Sequence, residues 1–398
     1  MSFHTHPFDL SQTIFTEEHL QEAREYLSAL LTKVDPSLKK PQGVLRAYWE
    51  TDSPAHACEL ISIAQMLKHF ERGLSSRSAL MFLPKVAGIF KQLNEKTFLE
   101  NLTELQIGSE LAHHTNQLEI DPLVPDEWLL PLTNHRRPQT PDFALHILNE
   151  KVFFEATVLH TKILNDWDKS VDSIMNALKS YLRKQQQNLT FQMTFPLPFK
   201  GNPEQIIKRL CYRLEKADRG RETFENDGGD VRWEPLPTFI APDASAAFAT
   251  LFTTSSKVAV FSPTPENVGF ASATQSGVVH LLEEDRVKAN NFMLNSLRNT
   301  LKTKKDQLQQ ARPVVLVLGL GHIWLYQDEL LAKLYGRIWN SPDYDWITGI
   351  VLFTPRHDFR FSQSDTYSPF LFCPNVRAKH KMNDILSSFL NKNDPSSK

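Results

Sequence analysis

Pro141-Asp142-Phe143-Ala144-Leu145-His146-Ile147-Leu148, the polar break Asn149-Glu150-Lys151, and Val152-Phe153-Phe154-Glu155-Ala156-Thr157-Val158-Leu159 together decide the fold. Two short segments rich in aromatic and β-branched residues around a polar turn predict a β-hairpin. A two-residue turn at Asn149-Glu150, with Leu148 facing Lys151, sets Asp142 opposite Thr157 and Ala144 opposite Glu155. Opposed residues project to one face, and residues two apart on a strand share it. Asp142, Glu155 and Thr157 are therefore expected to converge near the open end of the hairpin, while Val152, Phe154, Ala156 and Val158 turn into a core. Two carboxylates at that range repel unless a cation sits between them. Mg²⁺, or Mn²⁺ in its place, suits such a site, because hard divalent cations are held by one or two carboxylates plus waters and phosphate oxygens. A cation there polarises a phosphoryl oxygen and lowers the pKa of a bound water. Glu155 lies in a strongly apolar strand, where an unpaired charge is costly.

Upstream of the hairpin, residues 17–31, 55–70 and 78–93 carry apolar residues at helical spacing, with Thr16 placed to cap the first helix. Residues 98–115 form a further amphipathic helix carrying Glu104 and Glu110, followed by a weak strand at 117–120 and a Pro-rich loop. Downstream, a long helix at 165–187 precedes an alternating strand at 189–195. Then come a basic helix at 203–216, a polar loop at 221–237 and a long helix at 285–310. The apolar runs 312–318 and 346–353 flank a helix near 327–339, which predicts parallel strands covered on both faces. The fold class expected is α/β, in three regions: a helical N-terminal part (1–95), a core (96–200) and an α/β extension packed on it (201–398).

Pro141-Asp142-Phe143, then Phe154-Glu155-Ala156-Thr157, behind a helix bearing Glu104, resembles the PD-(D/E)xK nuclease superfamily, whose restriction-endonuclease-like core runs α-β-β-β-α-β. The resemblance covers about 100 residues, from Phe98 to Phe195. It implies that Asp142 and Glu155 bind Mg²⁺ and that Glu104, in preference to Glu110, adds a third ligand or orients water. Thr157 stands where that superfamily usually has lysine, and it would line the site without supplying a positive charge. Lys162, Lys169 and Lys305, the last in the run Lys304-Lys305-Asp306-Gln307, are candidates to replace that lysine.

The chain has 398 residues, 41% hydrophobic and 23% charged, which suits a folded protein and argues against global disorder. Its longest apolar run, Val314 to Gly321, is far short of the roughly 20 residues that cross a bilayer. With no leader-like opening, a cytoplasmic protein without membrane attachment is expected. Cys58, Cys211 and Cys373 are too widely spaced for a CxxC motif or a disulfide framework. Net charge is −2, yet Lys162–Arg221 holds 12 Lys and Arg against 6 Asp and Glu, and Arg286–Arg312 holds 7 against one acid. Such stretches would suit a phosphate backbone, so DNA is the expected partner; a homodimer is left open. Gly319-Leu320-Gly321 begins like a dinucleotide fingerprint, but Trp324 stands where its third glycine belongs. Arg136-Arg137 could touch phosphate beside the metal, and His4, His6, His113 and His114 read as surface residues. The expected function is metal-dependent hydrolysis of DNA phosphodiesters in restriction, defence or repair. The alternative is an inactive nuclease-fold protein that binds nucleic acid or a protein partner.

Overall fold

A strand apolar on both faces needs neighbours of the same kind, and this requirement sorts the strands of the chain into two sheets. The computed structural model describes residues 16–50, 54–113, 115, 117–124, 140–148, 150–159, 162–185, 189–224, 229–235, 258–261, 283–308, 313–320, 333–353 and 370–390. Arg136, Arg137, His4, His6, His114, Gly321 and Trp324 lie outside them.

The N-terminal helices are α1 (Glu17–Val34), α2 (Gly43–Trp49), α3 (Pro54–Arg72), α4 (Ala79–Phe90) and α5 (Glu95–Ala112). Thr16 caps α1 as its sequence position predicts: its hydroxyl accepts from the His19 amide, and the His19 ring accepts from the Thr16 amide. Asn94 caps α5 through the Thr97 amide. α1 packs on α3 and α4, and α5 on α3 and α4. Their buried Leu27, Leu67, Phe70, Val86, Phe98 and Leu105 share one core with Phe143, Phe154 and Val317 of the sheet. The N-terminal part is thus a layer of the core rather than a separate region.

The larger sheet has the order β1 (Glu119–Ile120), β2 (Phe143–Ile147), β3 (Glu150–Leu159), β8 (Val314–Leu320), β9 (Gly349–Phe353), β10 (Phe370–Pro374). Its outer pairs are antiparallel, whereas β3–β8 and β8–β9 are parallel. The parallel pairing of the 312–318 and 346–353 runs follows from their continuous apolar character. Between β3 and β8 the chain forms α6 (Lys162–Gln185), β4 (Leu189–Thr194), α7 (Pro203–Leu214), β5 (Gly220–Phe224), β6 (Gly229–Pro235), β7 (Val258–Phe261) and α8 (Glu283–Leu308); α9 (Asn383–Leu390) follows β10.

Two sequence expectations are corrected here. The strand at 189–195 does not extend the hairpin's sheet: β4 pairs with β6 and β7 in a second, four-stranded sheet of order β5-β6-β4-β7. Within the polar segment 221–237, expected to be a loop, residues 221–224 and 229–235 belong to β5 and β6 of that sheet. The reason lies in the side chains. β4 alternates, with Leu189, Phe191 and Met193 buried, and so suits a sheet with one apolar face. β3 is buried along both faces from Val152 to Glu155, and β8, buried on both faces from Val314 to Leu318, meets that need. The chain divides into one unit of residues 1–159, 297–323 and 331–398 and another of 160–296 and 324–330. Among the described residues, no helix is long and apolar enough to cross a membrane.

The hairpin register also differs from expectation. Ile147 pairs with Glu150 and Phe143 with Phe154, so each residue of β2 faces a partner two positions earlier in the sequence than expected. A slip of two leaves every side chain on its expected face. Continued by one residue, it brings Asp142 opposite Glu155. Leu148 sits at φ 47 and is exposed, an unusual place for an apolar side chain, which is why the polar pair reads as the turn. Leu148→Asn, which tolerates left-handed backbone and gives up little buried area, is expected to stabilise the protein by about 0.5–1 kcal/mol in urea unfolding. No gain would mean that the turn is unstrained.

Candidate active site

Glu155 occupies the middle of β3, and its side chain is only 7% exposed. A carboxylate so placed requires a counter-charge. Lys304, near the C-terminal end of α8, provides it: the Lys304 ammonium donates to Glu155 Oε1. Lys304 lies on the stripe that contains the buried Leu297, Leu301 and Leu308. Spacings of four, three and four residues put all four side chains on one helix face.

Asp142 precedes β2. Its Oδ2 accepts from the Ala156 amide at 2.9 Å, while its backbone oxygen accepts from the Asp121 amide at 3.0 Å. The carboxylate is thereby pinned between the start of β2 and the residue after Glu155. A second lysine reaches it from the helical layer. Lys85 of α4 donates to Glu104 Oε1, and its ammonium lies 3.2 Å from Asp121 Oδ1 and 3.5 Å from Asp142 Oδ1. The same ammonium stands 5.7 Å from the centre of the Phe143 ring. Asp121 holds its position at φ 44, another left-handed non-glycine residue.

α5 brings Glu104 to this place because two glycines let the helix approach the sheet. A Cβ on Gly108 would meet Phe70 at 2.8 Å and Phe143 at 2.9 Å, and one on Gly319 of β8 would meet Thr103 at 2.4 Å. Gly319, which begins like a dinucleotide fingerprint that Trp324 breaks, is a packing glycine beneath the residue next to Glu104.

The electrostatics follow from this geometry. Burial raises the Asp142 carboxyl well above the ordinary carboxylate range, and the neighbouring Glu155 and Glu104 raise it further against Lys85 and the Ala156 amide. Burial also raises Glu155, with Lys304 opposing. Burial works against the Lys85 charge, but Glu104, Asp142 and Asp121 outweigh it, so its pKa is raised. Among the described residues, four carboxylates, Glu104, Asp121, Asp142 and Glu155, thus meet two ammonium groups, Lys85 and Lys304. Fully ionised, the cluster has an excess of two negative charges.

Measured against the sequence, Asp142 and Glu155 come together as expected. Thr157 stands half-buried, two residues beyond Glu155 and on the same face of β3. Glu104, and not Glu110, joins the cluster, but through Lys85; the charge of Glu110 acts on His69 instead. Neither lysine of the cluster was singled out from sequence. Lys305 is one residue past the one that reaches Glu155, a rotation of about 100° around the helix. Lys162 and Lys169 are exposed on α6 in the other unit. The signal was available: Lys85 is the only charged residue of α4, falling between Phe82 and Ile89 on its apolar stripe, just as Lys304 interrupts that of α8. Among the basic residues of 162–221, Arg209 and Arg213 are committed to the buried Glu222, and Arg221 to Asp230.

No group of three or more His, Cys, Asp or Glu side chains placed to hold a metal ion occurs among the described residues. The donors nevertheless fit a hard divalent ion held by Asp142 and Glu155 with water and substrate oxygens, since two carboxylates suffice for Mg²⁺ and the cluster lacks two positive charges.

No family model, curated protein or solved structure matches this chain.

The raised carboxyls predict a pH dependence. A carboxyl with a higher pKa in the folded than in the unfolded state binds more protons when folded, so stability falls as pH rises from the unfolded pKa towards the folded one. Urea unfolding of the wild type is expected to lose stability above pH 4, and Asp142→Asn to flatten that slope. An unchanged slope would remove Asp142 as its source.

Proposed function

We propose that the protein is a metal-dependent phosphodiester hydrolase acting on DNA, built on a restriction-endonuclease-like core. The observation that carries this reading is the Lys304–Glu155 pair beside Asp142. Two acids and a lysine form the trio that the Glu155-x-Thr157 sequence lacks, with the lysine delivered from a helix instead of from the strand. Support for the fold comes from element order. α5, β1, β2 and β3, followed by α8 and β8, repeat the order helix, three strands, helix, strand, with residues 160–282 inserted ahead of α8.

In this reading Asp142 and Glu155 hold Mg²⁺ or Mn²⁺, which when bound polarises the phosphate and acidifies a water. The Ala156 amide fixes the orientation of Asp142. Lys304 keeps Glu155 ionised and offers a positive charge to the attacking water and the developing phosphorane oxygens, the part usually played by a lysine at position 157. The water gives up one proton to solvent and its oxygen bonds to phosphorus as the bond to the leaving sugar oxygen breaks, and the leaving oxygen takes up a proton from solvent. Thr157 lines the site beside Glu155.

A second reading, a nuclease-fold protein that binds without turnover, is favoured by Lys85, which already supplies positive charge to Asp142. Incubation with plasmid and linear DNA plus Mg²⁺ or Mn²⁺ separates the two. Cleavage is expected, lost in Asp142→Ala and Glu155→Ala, and reduced by about 10²-fold or more in Lys304→Met. Adding Thr157→Lys to Lys304→Met is expected to restore part of the rate. Cleavage unaffected by Asp142→Ala and Glu155→Ala would overturn the site. No cleavage by wild type, despite metal binding, would favour the binding reading.

A further inference from the structure

The active-site reading leaves Lys85 without a task, along with Glu104 and Asp121, the two acids that hold it. Lys85 takes no part in the Asp142–Glu155–Lys304 trio, yet its ammonium stands among three carboxylates that come from three separate parts of the chain. Glu104 belongs to α5, Asp121 follows β1 and Asp142 precedes β2. The Lys85 side chain is 18% exposed, and α4 is otherwise uncharged, so its placement is specific to this cluster. A lysine serving only the fold would need one partner; this one draws on three, including the Asp142 carboxylate proposed to hold metal.

We propose that Lys85 is the resident cation of the metal-free site: it neutralises Asp142 while the divalent ion is absent and gives Asp142 up when the ion binds. The proposal rests on the metal-dependent reading above. Charge and geometry support it. Of the three carboxylates around Lys85, Asp142 is the most distant, at 3.5 Å, against 3.2 Å for Asp121 and the still closer Glu104. Asp142 is therefore the partner most easily released, and Glu104 and Asp121 retain the ammonium when it goes. A like charge close to a cation site weakens the binding of that cation. Lys85 accordingly lowers metal affinity, while reducing the uncompensated negative charge of the metal-free cluster. It is a positioning residue: it touches no substrate and acts through Asp142.

The test is metal binding, read separately from turnover. Mn²⁺ binding to the full-length protein is followed by electron paramagnetic resonance of the free ion, for wild type, Lys85→Met and Lys85→Arg. Lys85→Met is expected to bind Mn²⁺ about tenfold more tightly than wild type, and Lys85→Arg, which keeps the charge, to stay close to wild type. Equal or weaker binding by Lys85→Met would overturn the proposal. A second measurement uses wild type alone, in case Lys85→Met fails to fold. Reductive methylation of lysines, mapped by mass spectrometry with and without Ca²⁺, is expected to label Lys85 faster once the ion is bound. Labelling that is unchanged or slower with Ca²⁺ would also count against the proposal. Wild type that binds no Mn²⁺ at all would instead remove the metal-dependent reading on which the proposal stands.

Discussion

Glu155 is the constraint around which the larger unit is arranged. A carboxylate in the interior of a strand that is covered on both faces loses most of its hydration, and such a group persists only with a counter-charge at hand. That requirement fixes more than a local contact. It demands a lysine on the helix that leads into β8, at the one turn where the buried stripe of that helix passes the carboxylate. Pinning Asp142 to the Ala156 amide then places a second acid beside the first. The helical layer responds with Lys85, and the glycines at 108 and 319 let α5 come close enough for Glu104 to share that ammonium. Each element near the site is held partly by packing and partly by the need to settle this charge.

The arrangement resembles an active site more than a stabilising ion-pair network. Replacing a buried ion pair with apolar residues of similar volume is often neutral or stabilising, so stability alone gives little reason to keep four acids and two lysines together. The imbalance of the set is also informative. A purely structural cluster would be expected to match its charges, whereas this one leaves Asp142 pressed towards its protonated form by burial first and then by Glu155 and Glu104. Groups displaced from their ordinary titration range by burial and like charge are characteristic of functional sites.

Much of the site is legible in the sequence, for reasons that can be named. The hairpin was readable because β-branched and aromatic residues flank a polar break, and the side-chain period of two carried Asp142 and Glu155 to a common region even though the strand pairing differs from the expected one by two residues. α5 was visible from its apolar spacing, and with it Glu104. What escaped was long-range. Nothing local distinguishes β4 from β8 as the partner of β3; only the comparison of a one-faced with a two-faced apolar pattern does so. The two lysines were hidden for a different reason. A lysine in an apolar helix stripe looks like an imperfection of the pattern until the acid it serves is known, and in both cases that acid lies on another element.

The distance along the chain between Glu155 and Lys304, 149 residues, bears on how the protein is made. β3 leaves the ribosome long before β8, and during that interval its hydrogen-bonding edge has no neighbour. Open edges of this kind invite pairing with other chains, and an inward-pointing charge is a common guard against it. Until α8 arrives, the unneutralised Glu155 carboxylate makes β3 a poor template for any apolar strand but the one that brings its own lysine. The residue proposed to hold metal in the finished protein would thus first serve as a gatekeeper for the nascent chain.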